Sequence, residues 1–569
     1  MRRAALLSLF VLGCPKKSPP VAAAPEARCG LHSDGSQTFG ILHVNDVYRI
    51  EGLLDGRGGI ARLARLRNEL EADCPDLLLT HGGDFLSPGL LSKSTNTEVD
   101  PARKIRLYGE HMVEMLSWLD GDGEAFDPHM FIAIGNHEFD NGGDVFGPTL
   151  DGFVANSGFT WLDTNITWQA VDDSPAPDDD KLMASQVVTF GELKVGLFGM
   201  TLEMDAEKLP KYVVLDNDRA QVAEDTIAAL DDVDVRIAVT HLDVSDDLAL
   251  LEAVPSLDLI VGGHNHNAMT RTTEDGRLVL KADADAATVR VVYVTVHPSG
   301  LVDVANDAQD DVLATILDGP GDPVVQAEVD RWEAQLADLF CGPDDLDCLK
   351  LPLTMTGNAF VAEELEMRRY ETNVGDAIAD LAVDAYADQG AQLAFINSGG
   401  LRLNQTLPAD VAFTRRQVEE LFPYNAMAYL VELTGAELQG VANRSVEGWE
   451  GNGHWLQISG WGFVHDPDAN GGDGSATSLS LLPPGGEPVP IDPAATYRVV
   501  TNEYLVTSDY GDRDGYTFEV RYVDDVPQGE VDLKERFADL LRAQPVTTLP
   551  LDGRICNTQR PDAPCRVPR

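Results

Sequence analysis

The sequence predicts an α/β protein built of two units, on three observations. Short apolar runs alternate with helical patterns through the first half of the chain, the rhythm of sheets flanked by helices. At 569 residues the chain exceeds the size that one hydrophobic core usually serves. A Gly/Pro/Asp-rich stretch from Cys341 to Lys350 interrupts the pattern and reads as a hinge.

Residues 1–37 read as an export signal and tether. Met1-Arg2-Arg3 leads into the apolar run Ala4 to Leu12, then Gly13-Cys14 and the polar Pro15-Lys16-Lys17-Ser18. The run is too short for a stable membrane span and has the architecture of an export signal. Val11-Leu12-Gly13-Cys14 resembles a bacterial lipobox, in which the cysteine is lipidated and anchors the protein to a membrane. Leu12 departs from the small residue usual there, and a plain secretory signal is the alternative. From Ser18 to Gln37 the Pro/Ala-rich segment has no periodicity.

Residues 38–320 carry the βα rhythm. The strand-like runs are Phe39 to Val44, Leu77 to Leu79, Met130 to Ile134, Val235 to Val239 and Leu257 to Val261. Helical patterns cover Ile60 to Leu70, Ile105 to Leu119 and Val222 to Leu230, while Arg277 to Lys281 and Arg290 to His297 look like antiparallel strands closing the unit. Residues 321–350 form a linker, with a charged helix over Asp322 to Leu339 and then the hinge. A second α/β unit spans 351–556, and 557–569 is a tail.

The net charge of -52 excludes a nucleic-acid polymer as partner, because phosphate backbones need clustered Lys and Arg. A small anionic substrate has to find a local positive site against that field, supplied by metal ions or a few arginines. Hydrophobic residues at 44% and charged residues at 24% describe a globular body. Besides Cys14, six cysteines remain, an even number suited to an oxidising compartment. Cys341 with Cys348 and Cys556 with Cys565 suggest local loops, leaving Cys29 with Cys74. None sits in a zinc-ribbon spacing.

The five early strands end in residues that ligate metals. Those ends read His43-Val44-Asn45-Asp46, His81-Gly82-Gly83-Asp84, Gly135-Asn136-His137-Glu138, Thr240-His241 and Gly262-Gly263-His264-Asn265-His266. A single Asp or His after a strand is more often a turn residue. Five together point to one crevice beyond the carboxyl ends of the strands. Carboxylate, imidazole and amide oxygen suit Zn, Mn or Fe. Glycines before Asp84, Asn136 and His264 allow close backbone approach.

This ordered set, with Asp140 following Gly135-Asn136-His137-Glu138-Phe139, resembles the calcineurin-like metallophosphoesterases, specifically the branch of the 5'-nucleotidases and UDP-sugar hydrolases. The resemblance covers nearly all of the chain after the tether. It implies an N-terminal metallophosphoesterase α/β sandwich of two sheets flanked by helices, and a C-terminal α/β substrate-binding domain. It implies two divalent or mixed-valence metal ions, such as Mn, Zn or Fe. Asp84 bridges them, Asn136, His241 and His264 complete one, and Asp46 and His266 serve the other. His137 acts on the phosphoryl oxygens or leaving group with Asp140 orienting it, and a metal-bound hydroxide attacks phosphorus in line.

The family has Asp-x-His at the first strand, whereas this chain has Asp46-Val47-Tyr48. Tyr48 either ligates as a phenolate, packs beside a thinner metal shell, or marks a degraded site.

In the second unit, Arg368 to Asp376 opens a helix, and Ala394 to Arg402 reads as a strand with a glycine turn ending in arginine. Both resemble the substrate-binding domain of 5'-nucleotidases. Arg368 and Arg402 offer planar donors to phosphate, beside Asn397 and Gly399. By the same resemblance Tyr424 and Tyr504 stack a nucleobase and Asp514 reaches a ribose hydroxyl. Asp466 to Gly471 starts like a calcium loop, but Thr477 stands where a bidentate Glu is required, so a hairpin is expected. The chain has neither a Gly-Lys dipeptide for a P-loop nor a Gly-x-Ser-x-Gly elbow.

The reading is therefore an exported periplasmic or surface enzyme that hydrolyses nucleotide phosphate esters. The alternatives are a 2',3'-cyclic-nucleotide phosphodiesterase or UDP-sugar hydrolase, and a non-catalytic surface-binding protein with an impaired metal site.

Overall fold

A computed structural model describes residues 28–53, 56–93, 109–140, 146–170, 176, 179–204, 209–230, 232–306, 315–316, 318–341, 347–449, 451–507 and 513–568. The export signal with Cys14, the start of the helix expected from Ile105, and residues 342–346 of the hinge lie outside them.

Two sheets build the first unit. In one, the strands lie in the order Val302–Asn306, Thr288–Val296, Gln37–Val44, Leu77–His81, Met130–Ala133, Thr160–Leu162, Leu182–Met183. From Gln37–Val44 onward the pairings are parallel, and Thr288–Val296 runs antiparallel to Gln37–Val44. The second sheet has the order Met269–Thr272, Leu278–Lys281, Leu259–Gly262, Val235–His241, Leu193–Thr201, Ser185–Phe190. Its four central strands are parallel. Strands covered on both faces have no polar side, which is why Met130–Ala133 and Leu259–Gly262 are continuous apolar runs. Phe39, Ile41, Leu78 and Phe131 from one sheet meet Leu197, Ile237, Val239 and Val261 from the other in a dry layer.

The five ligand-bearing strands divide between the two sheets of the expected sandwich, three in the first and two in the second, so the crevice lies across its ends. One expectation is corrected. Leu278–Lys281 is antiparallel only to Met269–Thr272 and parallel to Leu259–Gly262, because a tight turn through Gly276 folds it back on the preceding edge strand. The expected strand from Arg290 is antiparallel, but it closes the first sheet.

Helix Ile60–Asp73 turns Ile60, Leu63, Ala64 and Arg67 inward, the spacing of one helical face. Against the same core lies Pro323–Cys341, the expected linker helix, burying Val325, Val329, Trp332 and Leu336. The cysteines pair as Cys29–Cys74, Cys341–Cys348 and Cys556–Cys565.

The second unit centres on a mixed five-stranded sheet in the order Leu456–Ser459, Leu393–Asn397, Thr496–Asn502, Met427–Thr434, Val531–Asp532, with smaller sheets beside it. Helix Asn373–Ala385, capped by the Thr372 side chain accepting from Gly375 N–H, packs on it through Val374, Ile378 and Ala382. Asp466 ends one strand of the expected hairpin, Trp461–Asp466 with Ser475–Leu481.

Candidate metal and phosphate site

The two sheets touch at their carboxyl ends through bare backbone. A Cβ on Gly263 would lie 2.4 Å from the Gly82 carbonyl oxygen, so only glycine fits this seam. Gly82 N–H donates to Val44 and Gly263 N–H to Thr240, which pins both sides. The residues leaving the seam are bent hard: Asp46, Asp84, His264 and His266 have φ of 54°, 61°, 81° and 58°. Four non-glycine residues in the left-handed region concentrate strain where functional sites often store it.

Asp46, Asp84 and His241 place ligand atoms within 4.8 Å of one another, all buried. His241 Nε2 lies 3.1 Å from Asp84 Oδ2 and 3.2 Å from Asn136 Oδ1. Its Nδ1 donates to the Gly82 carbonyl at 2.7 Å, which turns Nε2 toward the carboxylate. On the other side His266 Nε2 is 3.2 Å from Asp46 Oδ1. The His264 ring stands edge-on to His241 at 5.2 Å, and its backbone N–H donates to Asp46. The phenol oxygen of Tyr48 lies among them, 2.9 Å from His266 Nε2, 3.2 Å from Asp84 and 3.4 Å from Asp46. Burial, with Asp84 and Asp46 beside it, holds the phenol pKa well above the ordinary range.

Two buried carboxylates facing one another need a positive partner. Burial alone would discharge the histidines, yet Asp84 pushes His241 up to about 9, and Glu364 with Asp46 pushes His266 up to about 10. The field that favours a proton on each Nε2 favours a metal cation in its place. Carboxylate, imidazole and amide oxygen form a donor set that fits Zn, Mn or Fe, so the residues fit the metals the sequence implies.

Beside this cluster, His137 Nδ1 is 2.9 Å from Asp140 Oδ2, and Ser87 Oγ donates to the same oxygen. His137 Nε2 faces Asp84 Oδ2 at 3.9 Å. From the second unit come Arg368, Arg402 and Tyr424; the charges of Arg402, Asp140, Arg368 and Asp84 all act on the Tyr424 phenol. Arg402 is held by its Nε donating to the Gly399 carbonyl at 2.8 Å. A second group is joined by its own hydrogen bonds. Asn397 donates to Asp514 at 3.0 Å and accepts from Asn502, and the Tyr504 hydroxyl donates to Asp514 at 3.0 Å.

Two residues carry roles that sequence reasoning missed. Glu138 is fully buried and accepts four backbone N–H groups, from Asp84, Phe85, Leu86 and Gly135. Burial and the charge of Asp84 push it up to about 7. It ties the Asp84 loop to the Asn136 loop, and its place inside the Gly135 to Asp140 motif was the signal available. Glu364 reaches the site from the second unit, 2.5 Å from His266 Nδ1.

Comparison with known proteins bears on this geometry. The family model described as calcineurin-like phosphoesterase matches residues 39–268, and that described as 5'-nucleotidase, C-terminal domain matches residues 354–517. The trifunctional nucleotide phosphoesterase protein YfkN of Bacillus subtilis (strain 168) is 25% identical over 505 residues, covering 83% of this chain and 32% of that protein. The chain thus spans about a third of that relative's length. A 5'-nucleotidase of Bos taurus is 24% identical over 520 residues, covering 83% of each chain. The solved 5'-nucleotidase precursor from Thermus thermophilus shares the fold with a TM-score of 0.72 and 21% identity, covering 92% of this chain and 100% of that one.

Proposed function

We propose, from the premise that this chain belongs to the calcineurin-like phosphoesterases that carry a 5'-nucleotidase C-terminal domain, that it hydrolyses phosphate esters of nucleotides in a metal-dependent reaction. The observation that carries this reading is the convergence of Asp46, Asp84, Asn136 and His241 with the His137–Asp140 pair and the arginines of the second unit.

Asp84, Asn136, His241 and His264 would hold one ion, and Asp84, Asp46, His266 and the Tyr48 oxygen would hold the other. When bound, such ions supply Lewis acidity toward phosphoryl oxygens and lower the pKa of water to about 7. The chain's own residues do the rest. Arg368 and Arg402 grip the phosphate with planar donors inside an acidic protein. With Nδ1 donating to Asp140, His137 presents Nε2 to the phosphoryl or leaving-group oxygen. Tyr424 and Tyr504 stack the base, while Asp514 and Asn397 serve the sugar beside the Gly399 turn.

Three disulfides support an exported protein in an oxidising compartment. Lipid anchoring through Cys14 is proposed from the sequence alone.

Purified protein with added Mn, offered 5'-AMP, 2',3'-cyclic AMP and UDP-glucose, tests the reading. Release of phosphate from 5'-AMP supports it. Turnover confined to the cyclic diester or the nucleotide sugar moves the assignment to the alternative substrates, and no turnover of any sinks it in favour of a binding protein.

A further inference from the structure

We propose that Glu364, contributed by the second unit, is a positioning residue for the metal centre: its carboxylate fixes the ring of His266 and makes metal binding depend on the docking of the two units. The proposal rests on the reading of His266 as a residue that faces a metal.

The geometry is built from three contacts on one buried carboxylate. Glu364 is 5% exposed and opens the short helix Glu364–Met367, whose start is capped by Glu363 accepting from Leu365 and Glu366 N–H. Its Oε2 is 2.5 Å from His266 Nδ1. The opposite nitrogen, Nε2, points to Asp46 and to the Tyr48 hydroxyl. A ring that donates Nδ1–H to a carboxylate keeps its Nε2 lone pair for a cation and cannot rotate away from it. Among the hydrogen bonds described for His266, Glu364 supplies the one to Nδ1, and it comes from across the unit boundary.

The other carboxylate oxygen, Oε1, pairs with Arg368 one helical turn on and lies 3.5 Å from Arg402 Nη1. These are the two guanidinium groups assigned to the phosphate. One side chain therefore ties the ring facing the metal to the cations facing the phosphate, so the two halves of the site are assembled together. Thermodynamic linkage makes the dependence mutual. If docking of the second unit raises metal affinity by supplying the acceptor for His266, metal binding favours the docked arrangement by the same factor.

The test uses full-length protein stripped with a chelator and titrated calorimetrically with Mn2+. Wild type is expected to take up two ions. Glu364→Ala is expected to weaken the ion served by His266 by about 10- to 100-fold, the usual consequence of removing a carboxylate behind a ligating histidine, and to leave the other unchanged. Glu364→Gln, which keeps an acceptor oxygen at the same reach, is expected to stay within about threefold of wild type by the same reasoning. Should the alanine variant not fold, Glu364→Asp, which withdraws the carboxylate by one methylene, carries the same expectation. Small-angle scattering supplies the second readout: Mn2+ compacts wild type and does so less in the alanine or aspartate variant. Wild-type affinity for both ions in these variants overturns the proposal while leaving the metal reading intact. Wild-type protein that binds no Mn2+ overturns the metal reading itself.

Discussion

The glycine seam between the two sheets yields a sharp prediction. Gly263 has no left-handed backbone to lose, so Gly263→Ala tests space alone. The new methyl carbon would sit 2.4 Å from the Gly82 carbonyl oxygen, 3.0 Å from Asp46 Oδ2 and 3.1 Å from the Gly82 carbonyl carbon. Reaching ordinary contact demands a separation of about 1 Å between two backbones held by ladder hydrogen bonds. Overpacking of this kind costs about 1–3 kcal/mol. Because Asp46, Asp84 and His264 leave the seam directly, the shift moves ligands of both proposed ions. A misplacement of about 1 Å costs on the order of 100-fold in rate. We expect Gly263→Ala to fold, to lose roughly two decades of kcat toward its best nucleotide ester, and to bind Mn2+ more weakly. The control is Gly440→Ala on an exposed helix face with open space around it, which should gain about 0.5–1 kcal/mol and keep full activity. Near-wild-type turnover in Gly263→Ala would refute the argument that this contact sets the ligand geometry.

Other expectations follow from single contacts. Iron-loaded protein should show a visible phenolate-to-iron band that disappears in Tyr48→Phe; an iron-loaded wild type without the band removes Tyr48 from the ligands. Arg416 of the second unit joins Glu51 of the first unit and Glu333 of the linker helix, with Glu420 beside them. At 18% exposure it stands between a surface pair and a buried one, so Arg416→Ala should cost roughly 2 kcal/mol of stability. An unchanged midpoint of chemical denaturation would show that the cluster holds nothing together. Asp376 is 2% exposed, and burial with the neighbouring Glu371 pushes its pKa up to about 10, far above its unfolded value. The folded state therefore keeps a proton that the unfolded chain has released, and stability falls as pH rises from about 4 toward 10. Asp376→Asn should flatten that slope, gaining on wild type in thermal midpoint between pH 5 and pH 9; parallel profiles would contradict the assignment.

The metal-facing half of the site was legible because its parts are local. Each ligand follows an apolar run within a few residues, so strand recognition and residue chemistry coincide at Asp46, Asp84, Asn136, His241 and His264. What escaped depends on how segments meet in space. Which of the two sheets each strand joins could not be told from runs that are apolar on both faces, since such strands look alike wherever they pair. Glu138 was visible as a letter in a motif, but its role comes from four backbone N–H groups, three of them more than fifty residues away in sequence. Glu364 sits in the run Glu363-Glu364-Leu365-Glu366, which reads as a solvated helix face. Only docking against His266, Arg368 and Arg402 makes its carboxylate a buried hub.

The strain at the strand ends and the weight of the hidden carboxylates belong to one physical design. Left-handed backbone at Asp46, Asp84, His264 and His266 costs of order 1 kcal/mol or more at each, and persists only where surrounding structure over-determines it. The parallel ladders supply part of that restraint, and the glycine contact between Gly82 and Gly263 locks the two ladders together. Glu138 then gathers the loops after Leu77–His81 and Met130–Ala133 onto one anion. Asp285 accepts the Tyr48 N–H and pairs with Arg49, securing the loop after Gln37–Val44. These supports belong to the first unit, so the positions of Asp46, Asp84 and His241 follow from that unit's own folding. Among the hydrogen bonds of the described residues, His266 is the proposed ligand that takes its outer hydrogen bond from the second unit. Tyr48 stands on that same side, its hydroxyl 2.9 Å from His266 Nε2, so the part of the site that departs from the family pattern is the part that Glu364 reaches.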